Sequence, residues 1–232
     1  MKKISIAITI ATLLAAPTAF AYEKGDILVR GGLTTVAPDD SSSNILVGGA
    51  NFELGGAVVG GVSVDDNTQL GLNLAYFLTD KWNVEVLAAT PFSHDIDIGG
   101  GVNLGSTKHL PPTVTANYFF ADPGSKFQPY AGVGLNYTIF FDEELNTATA
   151  GVIEDATGGA VISDLDLDAS FGISAQIGAD YEISDGMFIN ASVRYIDIET
   201  EADFKVNGAD LGKIETVTID PWVYTISIGY KF

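Results

Sequence analysis

A pattern of period two constrains this chain more than any other feature. From Trp222 to its last residue the sequence reads WVYTISIGYKF. Trp222, Tyr224, Ile226, Ile228, Tyr230 and Phe232 share one face, and Val223, Thr225, Ser227, Gly229 and Lys231 share the other. The same alternation predicts seven further strands: Ile27 to Val36, Leu70 to Tyr76, Trp82 to Val86, Pro112 to Phe120, Ala131 to Ile139, Phe171 to Glu182 and Ile189 to Tyr195. Alternation alone fits a soluble barrel or sandwich with its apolar face inward as well as a membrane barrel with that face outward. Two features favour the membrane. The polar face is built from Gly, Ser, Thr, Asn and Ala, which suit the cramped inside of a small barrel, whereas a water-facing surface carries more Lys and Glu. The apolar face also carries aromatics at both ends. Tyr76, Trp82, Tyr118, Phe127, Tyr181, Tyr230 and Phe232 lie toward one rim; Phe92, Tyr137, Phe141, Phe171, Tyr195, Trp222 and Tyr224 lie toward the other. Two girdles around an apolar band suit a lipid-facing wall. An open sheet edge would leave backbone groups unpaired in hydrocarbon, so the sheet must close.

The expected fold is therefore all-β: an eight-stranded antiparallel transmembrane β-barrel with short periplasmic turns and long extracellular loops. Thr79-Asp80-Lys81, Asp122-Pro123-Gly124-Ser125 and Ser184-Asp185-Gly186 read as tight turns. Long segments alternate with them, at roughly 37–67, 93–110, 142–168 and 198–217. An even strand number puts both ends of the barrel in the periplasm. The N-terminus reads as an export signal: basic Lys2-Lys3, an apolar run from Ile4 to Ala16, and Ala19-Phe20-Ala21 as the cleavage site. That run is too short to span a bilayer as a helix. The organisation is thus a signal peptide over residues 1–21 and a barrel over 22–232, in the outer membrane of a Gram-negative bacterium.

Composition then excludes several functions. The net charge is −19, with 30 acids against 11 bases, yet only 18% of residues are charged. Nucleic acid is excluded as a partner, because phosphate binding needs clustered Lys and Arg. With no cysteine there is no thiolate metal site, cysteine nucleophile or disulfide. Asp164-Leu165-Asp166-Leu167-Asp168 starts like a calcium loop, but Ala169 and Ala175 stand where Gly and Glu are needed. Asp142, Glu143, Glu144, Glu154, Asp155 and the three aspartates of that run read as a solvated outer face. His94 and His109, with Ser93 and Ser106, are the only base–hydroxyl set near the outer leaflet, and no orienting group or oxyanion donor accompanies them. No enzyme, metal or cofactor is expected.

Side-chain parity divides the expected lumen. Arg30, Glu85, Asp180, Glu182 and Lys231 point inward toward the periplasmic end, with Arg194 nearer the middle. These three bases and three acids are tolerable inside only if paired. They serve either as a structural plug or as a gate. Toward the outer end the inward residues are apolar: Val36, Leu87, Phe140, Ile196, Ile198 and Val223. They form either a funnel open to the outside or ordinary barrel filling. Pro91, Pro111 and Pro112 cannot donate to the ladder, so they mark either a lateral seam or simple strand ends.

Several motifs carry a family resemblance. Asn67-Thr68-Gln69-Leu70-Gly71-Leu72, Leu87-Ala88-Ala89-Thr90-Pro91-Phe92, His109-Leu110-Pro111-Pro112-Thr113, Lys126-Phe127-Gln128-Pro129-Tyr130 with Gly132 to Thr138, and Asp220-Pro221-Trp222 together resemble the outer membrane protein W (OmpW) family. The resemblance spans the mature chain in order. It implies a narrow hydrophobic channel passing small hydrophobic molecules. The alternative is a surface receptor or adhesin barrel with no transport role. The terminal aromatic Phe232 resembles the assembly signal of bacterial outer-membrane barrels. Expected partners are outer-membrane lipid and lipopolysaccharide, small hydrophobic solutes, and the barrel assembly machinery through Phe232.

Overall fold

The computed structural model describes residues 22–98, 101–122 and 124–232; the signal segment 1–21 and Pro123 of the second turn lie outside them. Eight strands form the wall. They are β1 (Ile27–Ala37), β2 (Asn67–Phe77), β3 (Trp82–Ala89), β4 (Thr113–Phe119), β5 (Phe127–Leu145), β6 (Ser170–Ser184), β7 (Met187–Ile196) and β8 (Trp222–Lys231). Each pairs antiparallel with the next, and β8 returns to β1 from Leu28↔Lys231 to Ala37↔Trp222. The sheet therefore has no edge within the wall, as hydrocarbon requires.

Period two sets what each face meets. Leu70, Val133, Ile177 and Ile226 stand 64–69% exposed on the outside, which is the lipid side. Thr34, Asn73, Thr115, Asn136 and Ser227 are buried inside. Tyr76, Trp82, Tyr118, Tyr181 and Tyr230 form the lower girdle, and Tyr137, Phe171, Tyr195, Trp222 and Tyr224 the upper one, all on the outer face. Space inside is tight. A Cβ at Gly178 would lie 2.5 Å from the Tyr130 ring, so only glycine leaves room for that side chain.

The three short turns fall at one end, as expected. The long segments at the other end are not open loops: they fold into a crown. Phe92–Ile98 pairs with Val102–Leu110, which pairs in turn with the upper half of β5. Glu199–Val206 and Ala209–Thr218 form a hairpin flanked by Ile162–Leu167 on one side and Leu46–Val47 on the other. Helix α1 (Thr147–Thr157) closes one side; Asn146 caps its N-terminus by accepting from the amides of Ala148 and Thr149, and Gly158 ends it at φ 75°. These segments fold because they carry their own apolar face. Ile45, Val62, Ile96, Ile98, Ile153, Ile214 and Val217 are buried together.

One parity expectation fails here. Phe92 is 1% exposed and belongs to the interior, not the upper girdle. The inward residues are odd-numbered in β3 (Asn83, Glu85, Leu87) and even-numbered in the next strand (Phe92, His94, Ile96, Ile98). The register slips by one across Thr90-Pro91, where proline cannot continue the ladder. Phe141, also placed in that girdle, is half-buried at the foot of the crown.

Candidate functional site

The lumen is stacked in layers. At the periplasmic end an aromatic plug fills it: Tyr22 stacks on Phe77 at 4.5 Å and meets Phe119 edge-on at 5.0 Å, with Tyr130, Phe188, Leu28 and Ala75 around them. Parity could have revealed this layer. Phe77 follows Asn73 and Ala75 on the inward face of β2, and Phe119 follows Asn117 on β4.

Directly above the plug lies a braced ionic cluster. Arg30 donates through Nη1 to Glu85 Oε2 at 2.6 Å and through Nη2 to Asp180 Oδ2 at 2.8 Å. Arg194 donates through Nη2 to Glu85 Oε1 at 2.7 Å. Glu85 thus bridges two guanidinium groups. Gln176 extends the network, accepting from Arg194 Nε at 3.0 Å and donating to Asn117 at 2.6 Å. Asp180 also accepts from the Tyr22 hydroxyl at 2.6 Å and from Asn190 at 2.7 Å. Two bases and two acids cancel, as buried charges must. The set ties β1, β3, β4, β6 and β7 across the bore. The Arg30 guanidinium also sits 5.5 Å from the Phe188 ring centre, over the plug.

Two expected members stand apart. Lys231 pairs with Asp26 at 3.5 Å near the mouth, with its side chain 20% exposed. Glu182 is half-buried, opposite Phe188 and one inward step below Asp180. Both have the right parity but the wrong depth: they lie where the strands run out past the plug.

Above the cluster comes a hydroxyl and amide layer, in which Thr34 meets Thr225 at 3.1 Å and Asn136 donates to Thr113 at 3.0 Å. The apolar zone follows. Val36, Phe140, Ile196, Ile198 and Val223 are buried in one cluster with the crown residues, and Leu87 lines a small cavity of about 10 Å³ with Val36, Ile196 and Val223. The six expected residues come together, but they do not form an open funnel. The crown folds over them and continues the same apolar core. Higher up are cavities of about 30 and 70 Å³.

The prolines mark a real gap. The β3–β4 ladder ends at Leu87↔Thr113, and pairing resumes only at Phe92↔His109. Residues 88–91 and 110–112 between them have no registered partners across the gap. Pro112 is level with the upper girdle, since its carbonyl accepts from the Tyr137 amide. Pro111, Ala89 and Leu87 line the small apolar cavity just inside.

His94 and His109 stack in the crown with ring centres 4.9 Å apart, 2% and 5% exposed. Burial pushes both imidazoles below their ordinary range; His109, with His94 beside it, falls to about 3. They act as core residues, not as a hydroxyl-activating base.

A closed antiparallel barrel with a lipid-facing wall, two aromatic girdles and an internally paired lumen defines an outer-membrane β-barrel protein. The class is sharpened by comparison: the OmpW family model matches residues 23–232, and the chain belongs to that family. Outer membrane protein W of Vibrio cholerae serotype O1 is 45% identical, with 100% of both chains covered. The crystal structure of OprG from Pseudomonas aeruginosa superposes with a TM-score of 0.77 at 40% identity, covering 91% of this chain and 98% of that one. A more distant relative from Pseudomonas aeruginosa, the dibenzothiophene metabolism operon protein PahQ, is 29% identical over 94% of this chain and 93% of its own. The protein resides in the outer membrane, in a family of membrane barrels rather than enzymes.

Proposed function

We propose that the barrel passes small hydrophobic molecules from the cell exterior into the outer membrane through its upper, apolar half. One observation carries this reading: the apolar zone is sealed below by cross-braced charges and opens sideways at a break in the wall. A nonpolar solute gains free energy by leaving water for the zone around Phe140, Ile196 and Val223. It cannot continue downward, because the Arg30–Glu85–Asp180–Arg194 set offers it only paired charge and then a filled aromatic plug. At the level of Pro91, Pro111 and Pro112 the strands are held by side-chain packing rather than by a ladder, so separating them breaks few hydrogen bonds. In this reading the charged set closes the path to the periplasm and the prolines form the exit. The name of the dibenzothiophene-operon relative, which refers to an apolar aromatic compound, supports it.

The test uses the absence of native cysteine. Ala89→Cys paired with Pro111→Cys places one thiol on each side of the gap. Oxidation should abolish uptake of a labelled apolar solute such as naphthalene into vesicles, and reduction should restore it. Uptake unchanged by the cross-link would refute the lateral route. Large unselective ion currents in planar bilayers would refute the sealed lumen.

A further inference from the structure

The crown holds a pocket that neither the ionic cluster nor the seam uses. Its volume is about 30 Å³, and it shares Leu104, Leu165 and Ile214 with the neighbouring cavity of about 70 Å³. Rotating those three aliphatic side chains merges the two. The larger cavity has a wholly apolar lining, whereas the smaller one includes His94, His109 and Thr107.

His94 is the distinctive group. Its Nδ1 lies 2.6 Å from the Asp65 carbonyl oxygen. A carbonyl only accepts, so Nδ1 carries the hydrogen and Nε2 is left with a bare lone pair. That Nε2 is buried and has no hydrogen-bond partner. A neutral acceptor aimed into an apolar pocket is costly until a donor meets it. Beside it the His109 and Phe140 rings, 5.9 Å apart, offer aromatic surface.

Building on the channel reading above, we propose that this pocket selects small aromatic molecules bearing one hydrogen-bond donor, the phenol class, over hydrocarbons of equal size. The ring lies against His109 and Phe140, and the hydroxyl donates to His94 Nε2. A site built around a polar partner discriminates by that partner, because the analogue lacking it leaves a buried group unpaired.

Phenol and toluene are the probes, since they match in size and differ in the hydroxyl. With the ¹⁵N-labelled wild-type barrel in lipid nanodiscs, phenol should shift the His94 Nε2 resonance toward its hydrogen-bonded position, and toluene should not. Corrected for partition into empty nanodiscs, phenol should bind roughly tenfold more tightly. His94→Phe keeps a ring and should erase the preference. A stationary Nε2 resonance, which needs no variant to observe, overturns the proposal. So does a phenol preference that survives in His94→Phe. If phenol binds as stated yet neither compound crosses in vesicle uptake, the channel reading fails and the pocket stands. If both cross equally and Nε2 does not move, the pocket fails and the channel stands.

Discussion

Glu85→Gln tests how the barrel is braced. Glu85 is 1% exposed and bridges Arg30 and Arg194 at 2.6 and 2.7 Å. Glutamine matches its shape and removes one negative charge. Arg30 keeps Asp180, but Arg194 retains only the neutral oxygen of Gln176, and its Nη1 is already without a partner. The lumen then carries one uncompensated positive charge away from water. Breaking a buried pair from one side costs about 3–5 kcal/mol, and Arg194's remaining hydrogen bonds argue for the lower end, about 3 kcal/mol. With a slope of about 2 kcal/mol per M, the urea midpoint should fall by about 1.5 M. The assay is urea unfolding of the barrel in lipid vesicles, followed by fluorescence of Trp82 and Trp222, which sit on the lipid face. Adding Arg194→Met restores neutrality and should recover at least half of the loss. A Glu85→Gln midpoint within about 0.3 M of wild type, or a double variant no better than the single, would refute the claim that paired charge braces the bore.

Three further expectations follow from other layers. Tyr22→Ala removes the centre of the plug and its 2.6 Å bond to Asp180, so single-channel ion conductance should rise above a near-zero wild-type level; unchanged conductance would show that the ionic cluster alone seals the bore. Gly178→Val drives a side chain into the Tyr130 ring, and the variant should fail to show heat-modifiable migration on a gel. Acid should loosen the crown: His109 takes up its proton near pH 6.5 when exposed but only near 3 when folded, so folding releases that proton and stability is lost as pH falls below about 6.5, by about 2.5 kcal/mol at pH 4.5. Amide hydrogen exchange over Phe92–Ile98 and Val102–Leu110, corrected for intrinsic rates, should speed up at pH 4.5 while the wall strands stay protected.

The wall was legible because lipid leaves so few solutions. Hydrocarbon on one side and a narrow bore on the other impose strict alternation, so eight strands and three turns can be read directly from residues such as Leu70, Leu72 and Leu74. Parity reports a face, however, and not a depth. It placed Arg30, Glu85, Asp180 and Arg194 correctly, but it could not show that Glu182 and Lys231 lie below the brace. The aromatic plug went unread for a related reason: Phe77, Phe119 and Phe188 sit at strand ends, where an aromatic is expected to face lipid. The crown was hidden because its pairings join distant, very short segments, such as Ser41–Ser42 with Thr218 and Val217. The one-residue slip at Thr90-Pro91 then reversed the face assigned to Phe92.

Strand β5 runs for 19 residues, far beyond the 9–11 that cross a bilayer. Its lower half is wall and its upper half is crown, paired to Val102–Leu110. What the cell shows its surroundings here is therefore largely hydrogen-bonded sheet. A protease needs extended, unpaired backbone to cleave, and this strand offers none between the membrane and Leu145. Gut or host proteases acting on intact cells should leave the polypeptide whole over that stretch, so recognition from outside must read a fixed relief rather than a supple loop.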